Sequence, residues 1–205
     1  MKWDMVRVKR WIRFFKNHLK EKARGLDFSM VKVTDLHFSK KNKSSYYGYC
    51  MTDEEVVKEI LGKIHIDRSK ANFMDIGCGK GMCLKVAEEM GFAKVSGLEL
   101  DHSIAEIGRR NMNKLKLKAE IIEDNAIEFS NYKDYDVFYF YNPFGRSIFQ
   151  KVIEKIVQSI EEKPREVFVA YLLPMQHDLW EAAGFKKIDE GHDNIRDLDY
   201  HIYKR

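Results

Sequence analysis

An alternation of glycines between two acidic residues is the part of this sequence best suited to chemistry. Residues 73–81 read Phe-Met-Asp-Ile-Gly-Cys-Gly-Lys-Gly, so Gly77, Gly79 and Gly81 alternate directly after an apolar stretch. Because glycines lack a Cβ atom, a ligand can approach the backbone of such a turn closely. The apolar stretch before the turn and the helical pattern after it predict a strand, a tight turn and a helix N-terminus. We therefore expect a small-molecule binding site at this turn.

Two carboxylates accompany the turn. Asp75 lies two residues before Gly77, and Glu99 lies 99 − 77 = 22 residues beyond it, at the end of the next apolar run. An acid about 20 residues on, at the end of the second strand, is placed to bind the hydroxyls of a ribose. The dinucleotide fingerprint G-x-G-x-x-G does not fit, because the third glycine comes one residue early and Met82 fills its position. Asp75 would repel a pyrophosphate but suits the ammonium group of an amino acid.

This D-x-G-x-G-x-G pattern, with an acid at the end of the second strand, resembles the S-adenosylmethionine site of class I methyltransferases over about residues 50–205. The resemblance implies that the three glycines wrap the methionine part of the cofactor, with Asp75 and the Cys78 of the turn nearby. It implies that Glu99 takes the ribose hydroxyls, and that Asp124-Asn125-Ala126, after the third strand, reads the adenine edge.

Thr52 has two candidate roles. In related methyltransferases a threonine just before the first helix of the domain can touch the carboxylate of the cofactor. Thr52 with Glu55 three residues later also reads as a capping box for a helix over 53–63. The two roles do not exclude each other.

The acceptor side of the site is predicted at the end of the fourth strand. Residues 135–141 read Tyr-Asp-Val-Phe-Tyr-Phe-Tyr, a buried central strand, and Asn142-Pro143-Phe144-Gly145 follows. The tetrapeptide is similar to the Asn-Pro-Pro-Tyr motif of amino-group methyltransferases, although the second proline is missing and Phe replaces Tyr. The Asn142 side-chain oxygen and the Pro143 carbonyl would accept hydrogen bonds from an NH₂ group, and Phe144 would stack on a flat substrate. The alternative is a plain strand-ending turn, since Asn and Pro are common turn residues.

Strands alternating with helical patterns predict an α/β fold of the Rossmann-like, doubly wound type. Its seven-stranded, mostly parallel sheet would end in an antiparallel hairpin whose turn is Gly191-His192-Asp193-Asn194. Strands are predicted over 71–76, 93–98, 118–123, 135–141, 166–173, 185–190 and 198–204, and further helices over 80–90, 102–115, 146–161 and 175–183. We divide the chain into a basic helical N-terminal extension, residues 1–45, and a methyltransferase domain, residues 46–205.

The N-terminal extension is strongly basic. Residues 1–43 carry 13 Lys and Arg and 4 Asp and Glu, a net charge of +9, so the remainder carries 4 − 9 = −5. In a predicted helix over about 3–23, one face gathers Val8, Trp11, Ile12, Phe15 and Leu19. Three readings stay open: the stripe packs on the body of the protein, the basic face binds RNA or another polyanion, or the helix lies on a membrane surface. We favour packing on the body.

Composition places the chain among globular proteins of one domain. The three cysteines, Cys50, Cys78 and Cys83, cannot all pair, and we expect reduced thiols in a cytoplasmic protein. No apolar run is long enough to span a membrane, and the histidines show no metal-ligand spacing. The predicted function is S-adenosylmethionine-dependent methyl transfer, with a small amine, RNA or protein as acceptor. The alternatives are a non-catalytic cofactor-binding module whose basic arm binds a partner, and a dinucleotide-dependent oxidoreductase.

Overall fold

The computed structural model describes residues 8, 12, 15, 16, 19, 20, 22–29, 52–193 and 197–205. Within residues 52–193 and 197–205, seven strands form one sheet, interleaved with five helices and a short 3-10 turn at Tyr132–Asp134. The strands are β1 Asn72–Ile76, β2 Lys94–Glu99, β3 Glu120–Glu123, β4 Val137–Tyr141, β5 Phe168–Leu172, β6 Lys186–Asp193 and β7 Leu198–Lys204. The helices are α1 Glu54–Gly62, α2 Met82–Glu89, α3 His102–Leu115, α4 Arg146–Glu162 and α5 His177–Ala182.

The sheet has the predicted architecture. Its strand order is β3-β2-β1-β4-β5-β7-β6, in which β1 to β5 pair in parallel and β7 pairs antiparallel with both β5 and β6. The predicted Rossmann-like fold with a C-terminal hairpin is therefore confirmed. The predicted hairpin turn is wrong in position, because Gly191, His192 and Asp193 still pair with β7 and belong to β6. Asn194 lies outside the described residues.

The central strands are buried on both faces, which explains their nearly continuous apolar sequences. In β4 the side chains of Val137 and Tyr139 join a core cluster with α1, α2 and α3, while Phe138 and Phe140 join a second cluster with α4 and α5. This alternation follows from the two-residue period of a strand. The helices therefore cover the two faces of the sheet, so a site is expected at the ends of the strands.

The order of the strands determines where that site lies. Going from β1, the chain first builds outward through β2 and β3, and then returns to add β4 on the other side of β1. At such a switch point the loops after the two neighbouring strands turn away from each other, which opens a crevice at their carboxyl ends. The glycine turn after β1 and the Asn142 loop after β4 meet at this crevice.

The cap of α1 corrects one prediction. The N-cap is Asp53, whose Oδ1 accepts the N–H of Glu55 at 2.9 Å, and the helix begins at Glu54. Thr52 is therefore not the capping residue. Aspartate and threonine are both good N-caps. Because the two residues are adjacent in the sequence, local preference alone does not distinguish them.

The N-terminal extension differs from the favoured expectation. Ile12, Phe15 and Leu19 are helical, and their side chains are 50%, 57% and 66% exposed. The expectation that the apolar stripe is buried on the body is therefore wrong for these three residues. Trp11, the segment 39–45 and the boundary at 45/46 lie outside the described residues. Within the described part of the chain, no helix combines the length and apolar character needed to cross a membrane.

Candidate cofactor and acceptor site

The glycine turn adopts a backbone that side chains would oppose. Gly77, Gly79 and Gly81 have φ angles of 80°, 55° and 87°, in the left-handed region that favours glycine. A Cβ atom on Gly77 would lie 2.7 Å from Cβ of Pro143, so the turn after β1 packs directly against the loop after β4. A Cβ atom on Gly81 would lie 2.9 Å from Cε of Met112. The backbone shape therefore favours glycine at all three positions, and Gly77 is required in addition for the close packing on Pro143.

Glu99 joins the second strand to the glycine turn. Its Oε2 accepts the N–H of Gly79 at 2.9 Å, and its Oε1 accepts the N–H of Asp101 at 2.9 Å. Burial raises the pKa of Glu99 from 4.5 to about 7, although the N–H groups of Asp101 and Gly79 act in the opposite direction. Each carboxylate oxygen has a second lone pair. Ionised Glu99 can therefore hold the turn and still accept hydrogen bonds from ribose hydroxyls.

Asp75 lies beneath the turn at the end of β1. The carboxyl group is buried, and the thiol of Cys83 contacts it. Burial and the nearby charge of Glu99 raise the pKa of Asp75 well above its usual range. A cation placed beside Asp75 would favour its ionised form. This environment fits the ammonium group of an amino acid.

The other predicted cofactor residues surround the same end of the sheet. Asp124 follows β3, where its backbone N–H bonds the Glu99 carbonyl at 3.1 Å and its Oδ1 accepts the N–H of Asn125 at 2.7 Å. The Asn125 side chain accepts the N–H of Ile127 at 3.0 Å and so shapes the loop. Thr52 is buried directly before Asp53, the N-cap of α1. Cys78 is buried within the turn, and its thiol points to the Gly79 carbonyl at 3.8 Å.

Asn142 is held in an unusual conformation at the end of β4. Its φ of 36° is outside the range that most non-glycine residues adopt, and its side-chain oxygen accepts a hydrogen bond from the Tyr171 hydroxyl at 3.0 Å. Tyr171 is fully buried in β5 and accepts the N–H of Gln176 at 3.2 Å. Strained backbone of this kind clusters at functional sites, where the surrounding structure enforces it.

Phe144 occupies a different environment from the one its expected role requires. Its side chain is buried, and its ring lies 5.5 Å from that of Phe149 in the core beside α4. The ring would have to leave this position to stack on a substrate, so that role stays a prediction. Pro143, by contrast, is partly exposed and contacts the glycine turn.

Residues 39–179 match the sequence profile of the family described as ribosomal RNA adenine dimethylase. The chain belongs to this family. It is therefore a Rossmann-like methyltransferase whose cofactor is S-adenosyl-L-methionine. The alternative prediction, that the chain is a dinucleotide-dependent oxidoreductase, is therefore wrong. A sequence search of curated proteins finds no significant match.

Solved structures share the fold at low sequence identity. An RNA methyltransferase from Salinibacter ruber in complex with S-adenosyl-L-homocysteine has 17% identity, covers 75% of this chain and 90% of its own, and gives a TM-score of 0.56. A SAM-dependent methyltransferase from Aquifex aeolicus has 16% identity, coverage of 81% and 93%, and a TM-score of 0.56. The putative methyltransferase yhhF from Escherichia coli has 20% identity, coverage of 74% and 82%, and a TM-score of 0.55. These similarities extend to the fold alone.

The residues present fit the cofactor. Gly77 of the turn is exposed, Asp75 suits an ammonium group, and Glu99 retains acceptor capacity for hydroxyls. Sequence reasoning missed Tyr171 as the partner of Asn142. The proximity of Tyr171 to Asn142 can be predicted in principle, because β5 lies beside β4 in a parallel arrangement and the two strands end at the same edge of the sheet.

Proposed function

We propose that the protein transfers a methyl group to an amino nitrogen, and that this nitrogen is the exocyclic amine of an adenine in RNA. The family to which the chain belongs supports the adenine, and the basic N-terminal extension suits an RNA acceptor. The observation that carries the proposal is Asn142, which is strained at the crevice with its side-chain oxygen directed by Tyr171.

In the proposed reaction the protein mainly positions the acceptor. The cofactor supplies a methyl group that is already activated on a sulfonium sulfur. Asn142 Oδ1 keeps a lone pair beyond the one that Tyr171 occupies, and this lone pair would accept an N–H of the acceptor amine. The Pro143 carbonyl would accept the second N–H. Two such bonds fix the direction of the amine lone pair, and the proton of the methylated amine then passes to solvent.

The first experiment identifies the acceptor and the product. Purified protein is incubated with labelled cofactor and, separately, with ribosomal RNA, transfer RNA, protein extract and small amines. The proposal expects label in RNA, and nucleoside digestion followed by mass spectrometry should give adenosine methylated on the exocyclic nitrogen. Label only in protein or in small amines, or on another atom of the nucleoside, would contradict the proposed acceptor.

The second experiment separates an enzyme from a binding module. Asn142→Ala should leave the affinity for S-adenosylhomocysteine nearly unchanged and lower methyl transfer by about tenfold or more. The control is Asn113→Ala, which changes an exposed asparagine on α3. If Asn142→Ala transfers methyl groups as fast as the control, Asn142 does not hold the acceptor amine.

A further inference from the structure

A short segment upstream of the domain is packed against the glycine turn. We call residues 25–29 the strap; they read Gly-Leu-Asp-Phe-Ser and precede the part of the chain that matches the family. Leu26 and Phe28 are 4% and 1% exposed and belong to the core cluster beneath α1, α2 and α3. The strap is therefore an integral part of the folded body.

Asn111 on α3 forms hydrogen bonds with both the strap and the glycine turn. Its Oδ1 accepts the N–H of Asp27 at 3.0 Å, and its Nδ2 donates to the Asp27 carbonyl at 2.8 Å. The same Nδ2 group donates to the carbonyl of Lys80 at 3.0 Å. Asn111 is buried. One amide group therefore satisfies both backbone polar groups of Asp27 and fixes a carbonyl between Gly79 and Gly81.

Lys80 makes a second, independent connection. Its side chain is 2% exposed, and its Nζ donates to Asp27 Oδ2 at 2.9 Å and to Ser29 Oγ at 3.1 Å. Asp27 Oδ1 accepts the hydroxyl and the N–H of Ser29 at 2.6 and 2.9 Å. Partial burial works against ionisation of Asp27, but the bonds from Ser29 and Lys80 outweigh it and lower the pKa of Asp27. The buried ammonium of Lys80 is thus matched by an ionised carboxylate on the strap.

The turn is confined on its other side as well. Gly79 donates its N–H to Glu99, as described above, and a Cβ atom on Gly108 of α3 would lie 3.1 Å from the Gly79 carbonyl oxygen. The backbone between Gly79 and Gly81 is consequently held by Glu99, by α3 and by the strap. Any change in the shape of this backbone on ligand binding must therefore alter the hydrogen bonds that Lys80 and Asn111 make to Asp27.

We propose that the strap is a positioning element of the cofactor site, which sets the shape of the glycine turn through Lys80 and Asn111. Binding free energies are coupled in both directions, so cofactor binding should strengthen the docking of the strap as much as the docked strap strengthens cofactor binding. The inference rests on the S-adenosylmethionine site described above.

The first test uses the unaltered protein and hydrogen exchange. The N–H groups of Asp27 and Ser29 are hydrogen-bonded within the network, so they report on strap docking. Saturation with S-adenosylhomocysteine should slow exchange in the peptide that contains residues 25–29. If the ligand binds and exchange in this peptide does not change, the coupling is absent. If the ligand does not bind at all, the assignment of the cofactor fails before the strap is tested.

The second test compares two aspartates with the same local arrangement. Asp67 also accepts the N–H and hydroxyl of the serine two residues on, and it pairs with Lys70, but it is exposed. Asp27→Asn should raise the Kd for S-adenosylhomocysteine by at least about fivefold, and Asp67→Asn should leave it unchanged. A purely structural strap would lower the melting temperature of Asp27→Asn without changing the Kd, and that result would overturn the proposal.

Discussion

The Tyr171 hydroxyl is the group in the acceptor site whose role can be isolated most cleanly. It donates to Asn142 Oδ1 and accepts the N–H of Gln176, while its ring stacks on Phe149 at 5.0 Å between centroids. Tyr171→Phe removes the hydroxyl and keeps the ring. Because the Asn142 side chain then loses its orienting donor, we expect methyl transfer to fall about tenfold while the Kd for S-adenosylhomocysteine stays within about twofold.

A second buried tyrosine provides the control for this change. The Tyr203 hydroxyl bonds the Nδ1 atom of His201 at 2.9 Å on β7, and its ring stacks on Trp180. Tyr203→Phe should therefore leave methyl transfer unchanged. Equal rates for both variants would show that Asn142 needs no orientation by Tyr171.

The protonation of Glu99 should make cofactor binding depend on pH. Its pKa is raised to about 7, chiefly by burial, so the carboxyl group gains a proton as the pH falls from 8 to 6. Protonation removes acceptor capacity, and binding should weaken in the same direction. If only the ionised form binds, the Kd for S-adenosylhomocysteine rises by about tenfold over this range and levels off at higher pH.

Calorimetric titration at several pH values measures this dependence. Glu99→Gln should bind more weakly at pH 8 and show a flatter profile, because its amide group does not titrate. Asp75→Asn identifies any contribution of the second buried acid, whose pKa is also raised. A flat profile in the unaltered protein would mean that Glu99 does not accept hydrogen bonds from the ligand.

At the level of secondary-structure elements, replacing each of three glycines by alanine tests the contact between the turn after β1 and the loop after β4. Gly77→Ala adds both left-handed strain, at φ 80°, and a clash with Pro143. Gly91→Ala adds strain alone, since φ is 86° and the space is open; Gly62→Ala adds neither. Strain at a left-handed position costs about 1–2 kcal/mol.

The melting temperature and the Kd for S-adenosylhomocysteine should respond differently in the three variants. Gly62→Ala should melt like the parent, Gly91→Ala should melt at a lower temperature with an unchanged Kd, and Gly77→Ala should lose both stability and affinity. If Gly77→Ala binds as tightly as Gly91→Ala, close packing on Pro143 is not required for the site.

The helices and strands can be predicted from the sequence because local patterns determine them. The helical pattern predicts α3 over its observed range, 102–115. In the structure Asp101 caps this helix by accepting the N–H of Ile104. The cofactor residues were readable because their order along the chain follows the order of the strands. The strap was not readable, because Asp27 and Lys80 are 53 residues apart and no local pattern joins them. The burial of Phe144 likewise depends on Phe149 and the tertiary packing around it.

The charge asymmetry of the whole molecule bears on the acceptor. The side chains of Ile12, Phe15 and Leu19 in the N-terminal extension are exposed, and Lys16, Lys20 and Lys22 beside them are exposed as well. If RNA is the acceptor, these lysines would neutralise phosphates and release counterions. Replacing all three by glutamate should then weaken RNA binding and leave the melting temperature and cofactor affinity unchanged.

The salt dependence of RNA binding gives this last prediction its magnitude. Each phosphate contact with single-stranded RNA contributes about 0.7 to the slope of log K against log salt concentration, so losing three contacts should reduce the slope by about 2. The control replaces Lys133, Lys151 and Lys163, which are exposed on the body, by glutamate and makes the same change in net charge. Equal losses in both triple variants would point to net charge alone, whereas a loss confined to the N-terminal variant would locate the RNA contact on the extension. A lowered melting temperature in the N-terminal variant would instead indicate that the N-terminal helix stabilises the fold.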